Sequence, residues 1–154
     1  MLLDSTSIKN YYEEIYKLME SQSQILNIIM KVYIDKKVPK DLNDTIKRIL
    51  HSTRQLNKLS ANLLKVKDIH EEEIKLVCLL SDSIDETLSG VECSFSYIHR
   101  LMGIKFENII DGKKSSSFSE KQLFDFLIEK FKKSMNILDE IIKWLENVSS
   151  TLKT

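Results

Sequence analysis

Turn-forming residues are almost missing from this chain, with three Gly and one Pro in 154 residues. A sheet protein of that length needs more of both, so their scarcity argues for few, long helices. The two cysteines, Cys78 and Cys93, are too few for a disulfide framework. Both fall in one expected helix, about 22 Å apart along its axis at ~1.5 Å per residue, too far to bridge each other. Free, half-buried thiols fit a reducing compartment and a cytoplasmic setting. Long apolar runs are also missing. The longest are a few residues, as in Leu76 to Leu80, far short of the ~20 needed to span a bilayer. Met1-Leu2-Leu3, followed at once by Asp4, is too short for a leader. Neither sign of charge is in excess, since Lys plus Arg and Asp plus Glu both number 23. That balance argues against a chain that holds nucleic acid by its phosphates.

What remains is an ordinary globular balance, 42% hydrophobic and 30% charged, in a length that suits one domain, 1–154, with one core. The apolar residues recur every three and four positions, the signature of helices with one buried stripe. The pattern is plainest near the end, in Phe124, Leu127, Phe131, Leu138, Ile141, Leu145 and Val148. Ser119 and Gln122 form a capping box before it, and Phe118 with Leu123 a hydrophobic staple. Asp4 caps a first helix, with Leu3 and Ile8 as its staple, and Asp35 to Pro39 ends it. Asp68 and Glu71 read as another capping box, with Lys65 and Lys67 complementing the end of the helix before it. The expectation is an all-α, antiparallel up-down-up-down bundle of four long helices at about 4–35, 39–66, 69–103 and 119–151. A flexible loop at 111–117 joins the last two, and a helical continuation to about residue 110 is compatible with Phe106, Ile109 and Ile110.

Polar residues interrupt the stripes. Gln22, Thr53 and Ser134 fall near the midpoints of the first, second and fourth helices and predict a polar layer halfway up the core. Such a layer fixes register, and it is also where a small ligand would sit. On the third helix the expected stripe is Ile74, Val77, Ser81, Ile84, Leu88, Val91, Phe95, Ile98 and Met102.

Chemistry-bearing patterns are sparse. His51, His70 and His99 lack the Glu-x-x-His spacing of a di-iron bundle. Asp85, Glu92 and His99 share a column, but its members stand ~10.5 Å apart, too far for one metal ion. No nucleophile elbow or Gly-rich phosphate loop occurs. No cofactor, metal or catalytic residue is assigned, and the expectation is a non-enzymatic protein. The lysines of the first joint (Lys36, Lys37, Lys40) and of the third (Lys113, Lys114) are offset by nearby carboxylates.

His51 is expected to project outward from mid-helix. The stretch His51-Ser52-Thr53-Arg54-Gln55 resembles the His-x-x-Lys-Gly core of histidine phosphotransfer domains, which are themselves four-helix bundles. The resemblance covers five residues and departs at Gln55, where that family has Gly. It implies His51 as phosphoacceptor, with Arg54 as the cation that steadies the phosphoryl group. The other outward feature is the last helix, whose apolar face is wider than one bundle position needs. Leu123, Ile137 and Trp144 lie on its flank, and Trp is a favoured interface anchor. The leading expectation is therefore a protein that acts through protein contacts and self-associates, as a homodimer or larger homo-oligomer, through this helix.

Overall fold

The computed structural model describes residues 3–65 and 68–153, with side-chain burial through residue 150. Four helices pack against one another as an all-α bundle: α1 (Ser5–Asp35), α2 (Leu42–Leu64), α3 (Glu71–Leu101) and α4 (Glu120–Lys153). Sequence neighbours pack on each other and α1 also packs on α4, so the helices close into a ring in chain order. The α3–α4 seam is the most extensive and the α2–α3 seam the least.

The expected caps at two helix starts are present. Asp4 accepts the Ser7 amide at 2.7 Å, and Leu3 and Ile8 are both buried beside it. At α4, Ser119 Oγ accepts the Gln122 amide at 3.1 Å and Gln122 Oε1 accepts the Ser119 amide at 2.8 Å. The Asp68 capping box does not form. His70 holds the cap position of α3 without a side-chain bond, and Glu71, Glu72 and Glu73 in the first turn offset the helix dipole instead. Lys67 and the expected end of the second helix at 66 lie outside the described residues. Lys36 stops α1 in the left-handed region at φ 57°, where its amide bonds the Val32 carbonyl.

The buried face of α3 differs from the expected stripe by about one residue. Leu76, Leu80, Ser83, Ile84, Thr87, Gly90, Val91, Ser94, Tyr97 and Ile98 face inward, while Ile74, Leu88 and Met102 are exposed. The cause is close packing. Ser83, Thr87, Gly90 and Ser94 form a line of small residues along α3, and α4 lies against this helix. A Cβ built on Gly90 would stand 2.7 Å from the Phe131 ring, so no larger side chain fits without displacement. Cys93 is fully buried rather than half-buried, and Cys78 is exposed.

The connection from α3 to α4 is ordered rather than an open loop. Gly103 at φ 69° ends α3, with its amide on the Arg100 carbonyl and the Ile104 amide on the His99 carbonyl, the paired bonds of a Schellman motif. No helix continues to residue 110. Two short antiparallel strands follow, β1 (Ile109–Ile110) and β2 (Lys113–Lys114). Asp111 and Gly112, both at positive φ (50° and 79°), make the two-residue turn between them. A single 3₁₀ turn, Ser115–Ser117, then leads to α4.

Candidate functional site

The mid-core layer exists, with one member changed. Gln22 Nε2 donates to Ser134 Oγ at 3.2 Å, and Thr87 Oγ1 donates to Gln22 Oε1 at 3.3 Å. The Thr87 and Ser134 hydroxyls are 2.7 Å apart. Thr87 has one proton, directed at Gln22 or at the Ser83 carbonyl 2.9 Å away, so Ser134 donates in that short contact. The three residues thus close a hydrogen-bonded circuit joining α1, α3 and α4. Thr53 is buried but not part of it, because its hydroxyl turns back to the Leu50 carbonyl at 2.8 Å. Thr87 enters, where the expected stripe of α3 has Ser81 as its polar residue, because the buried face of α3 is shifted by about one residue from that stripe. Each of the three side chains has at least one partner in the circuit.

His51 is exposed on α2 and lines a cleft of about 320 Å³ against α1, together with Lys17, Glu20, Gln24, Lys47 and Arg48. Buried Ser21 and Ser52 complete its lining. Arg48 is held by Gln24 Oε1 at 3.0 Å and Thr45 Oγ1 at 3.1 Å. The cations sharing the cleft with His51 are therefore Lys17, Lys47 and Arg48. The expected Arg54 is exposed on α2 but not part of the lining.

On α4, Leu123 is fully buried and cannot meet another chain. As the staple residue its side chain turns inward with the first turn of the helix. Ile137 and Trp144 are partly buried against the core. The wide apolar face is largely absorbed because α4 packs on two helices, α3 and α1. Cys93 has no nucleophilic prospect. Burial, with the Asp111 charge nearby, pushes its thiol up to about 12. Among the described residues, no group of three His, Cys, Asp or Glu could hold a metal ion, and no helix is long and apolar enough to cross a membrane.

Large exposed apolar side chains concentrate instead on the α3–α4 connection. Met102 is 57% exposed, Ile104 49%, Phe106 43% and Ile109 56%. Ile34 and Val38, also exposed, lie at the same end of the bundle, where Lys36 of the first joint meets Glu120 of α4 at 3.2 Å. The segment is braced from several sides. Phe106 stacks on His99 with ring centres 4.4 Å apart. Asn108 accepts from Ser96 Oγ at 2.5 Å and donates to the Glu92 carbonyl at 3.1 Å. Arg100 donates to the Ser115 carbonyl at 2.9 Å and to the Phe118 carbonyl. Lys130 of α4 reaches Asp111 at 3.1 Å and Glu86 of α3 at 3.6 Å. Burial alone would lower the Lys130 pKa, but the Asp111 hydrogen bond and the two carboxylate charges outweigh it and hold it above the usual value. Beside this segment a cleft of about 630 Å³ is lined by Arg100, Ile104, Phe106, Glu107 and Ser116, among others. The sequence signal for the hairpin was the Asp111-Gly112 pair between Ile110 and Lys113, a favoured two-residue turn.

Comparison with family models, with curated proteins and with solved structures finds no match for this chain.

Proposed function

We propose that this protein works without catalysis, through contacts with other protein chains, and that its main contact surface is the α3–α4 connection. One observation carries the reading: four large apolar side chains stand exposed within eight residues, Met102 to Ile109. Apolar groups gathered on the surface mark interaction sites more often than scattered ones do. The bracing by Arg100, Asn108 and Lys130 supports the same reading, since a pre-ordered surface loses less entropy on binding. The helix α4 flank is the weaker candidate, because Leu123 is enclosed and Ile137 and Trp144 already pack on the core.

A photo-crosslinking residue at Lys105, introduced into the full chain in its native cell, tests this. The expected result is a discrete protein adduct that disappears when Ile104 and Ile109 are both replaced by Ser. An adduct insensitive to those changes, or none at all, overturns the reading.

A second reading is phosphotransfer by His51, favoured by its place in a cleft beside Lys47 and Arg48, where an imidazole and two cations could share a phosphoryl group. Incubation with a phosphorylated receiver domain should then label the chain, and His51→Gln should abolish the label. An unlabelled wild-type chain ends this reading.

A further inference from the structure

The balanced total charge conceals an uneven distribution. Helix α2 carries Lys47, Arg48, Arg54 and Lys58 against Asp44 alone. Helix α3 carries seven carboxylates against two cations, Lys75 and Arg100. Lys47, Arg54 and Lys58 are exposed, and their spacing of seven and four places them on one face of α2. Asp82, Asp85 and Glu92 are exposed on α3 at spacings of three and seven. Among the described residues, none of these six side chains forms an ion pair within its own chain. Two adjacent helices thus present unpaired charge of opposite sign on their outward faces, flanking the bundle's least extensive seam, with Lys47 and Lys58 also bordering the clefts against α1.

The spacings match. Lys47 and Arg54 are seven residues apart, as are Asp85 and Glu92, about 10.5 Å in each case at 1.5 Å per residue. Between the charges lie Leu50, half-buried on α2, and Leu88, 36% exposed on α3. The heights match as well. Gln24 of α1 bonds Arg48 of α2, and Gln22 of α1 bonds Thr87 of α3. The antiparallel run of α1 and α2 then sets Leu50 close to the level of Thr87 and Leu88.

We propose that a second copy of this chain docks on the α2–α3 face, with α2 of each copy lying antiparallel on α3 of the other. A half-turn about an axis parallel to the helices brings α2 over the partner's α3 and α3 over the partner's α2, and leaves every residue at its own height. Leu50 meets Leu88, Lys47 faces Glu92 and Arg54 faces Asp85. The contact is made twice, and the pair is closed. The inference rests on the reading that this protein works through protein contacts, but it uses a different surface from the α3–α4 connection.

Sedimentation velocity on the full chain tests it. The wild type should dimerise, and its Kd should rise steeply as salt increases from about 0.05 to 0.5 M, where screening shortens from roughly 14 to 4 Å. Lys47→Glu with Arg54→Glu, or Asp85→Lys with Glu92→Lys, should each raise the Kd by ~10-fold or more. A mixture of the two reversed chains should dimerise again, since both contacts are then complementary. Circular dichroism checks that each variant is folded, and Gln in place of the reversed charge serves as a milder variant, expected to weaken dimerisation without abolishing it. A wild type that stays monomeric at several hundred micromolar overturns the proposal, whereas the connection-end reading falls only with the Lys105 adduct. A dimer that ignores both reversals, or reversed chains that do not recombine, also overturns it.

Discussion

The two seams of α3 are built on different principles. Against α4, helix α3 presents Ser83, Thr87, Gly90 and Ser94, and the Phe131 ring occupies the space that a Cβ on Gly90 would need. Toward α2, contact is sparse, and α3 leaves Leu88 partly exposed with Asp85 and Glu92 beside it. Small residues let two helices approach and exclude water along their length. Large residues with charged neighbours leave a shallower seam with a surface still open to another chain. Intimacy in this bundle therefore follows side-chain size more than hydrophobicity.

The largest test of that contrast is Phe131→Ala, which empties the tight seam and should cost ~3–5 kcal/mol in chemical denaturation. Leu88→Ala on the loose seam should cost under ~1 kcal/mol, because that side chain is already partly exposed. Similar losses at the two sites would end the distinction.

Alkali gives a second probe. Burial raises the Tyr97 hydroxyl of α3 to about 12, with the Glu120 charge adding to it, and burial likewise raises Tyr11 of α1 to about 12, both from an ordinary 10. A folded state that holds these protons longer than the unfolded chain is fully stabilised below pH 10. It loses that contribution as the pH climbs from 10 toward 12. The loss is at most a few kcal/mol, at about 1.4 kcal/mol per pH unit per group. Denaturant midpoints followed from pH 9 to 12 should therefore fall, and Tyr97→Phe should flatten part of the decline.

Gly90→Ala should destabilise by roughly 1–2 kcal/mol. Overpacking against Phe131 outweighs the ~1 kcal/mol that Ala gains over Gly in helix propensity. A stabilised variant would show that the ring moves freely and that the seam is looser than its geometry. Ser119→Ala should cost about 1 kcal/mol for one lost cap. That loss would come from the helix end alone and leave both seams unchanged.

Much of the architecture was legible in the residues. The start of α4 was marked by Ser119, Gln122, Phe118 and Leu123 acting together, and the start of α1 by Asp4. These are local signals, set by one turn of backbone. The face of α3 was misread because its true stripe contains Ser83, Thr87, Gly90 and Ser94, which look polar or featureless until another helix lies against them. The same shift keeps Thr87 out of the expected polar layer, whereas Thr53 leaves it because its hydroxyl turns back to its own helix. The apolar surplus of α4 looked like an interface because sequence width alone does not reveal that α4 packs on both α3 and α1. The order of the α3–α4 connection is not legible in the residues because it comes from Arg100, Asn108 and Lys130, whose partners lie outside any short window.

The circuit of Gln22, Thr87 and Ser134 acts as an error check on assembly. Its amide carries a donor on one side and an acceptor on the other, so the loop of bonds closes in only one arrangement of the three helices. If α1 slides by a turn, Leu18, Met19, Ile25 or Leu26 arrives where Thr87 and Ser134 are waiting to bond. Each bond is worth only about 1 kcal/mol when made, but a buried group left without its partner costs about 1–3. A misplaced α1 is thus detected by two other helices, and the misassembled state is penalised more heavily than the correct one is rewarded.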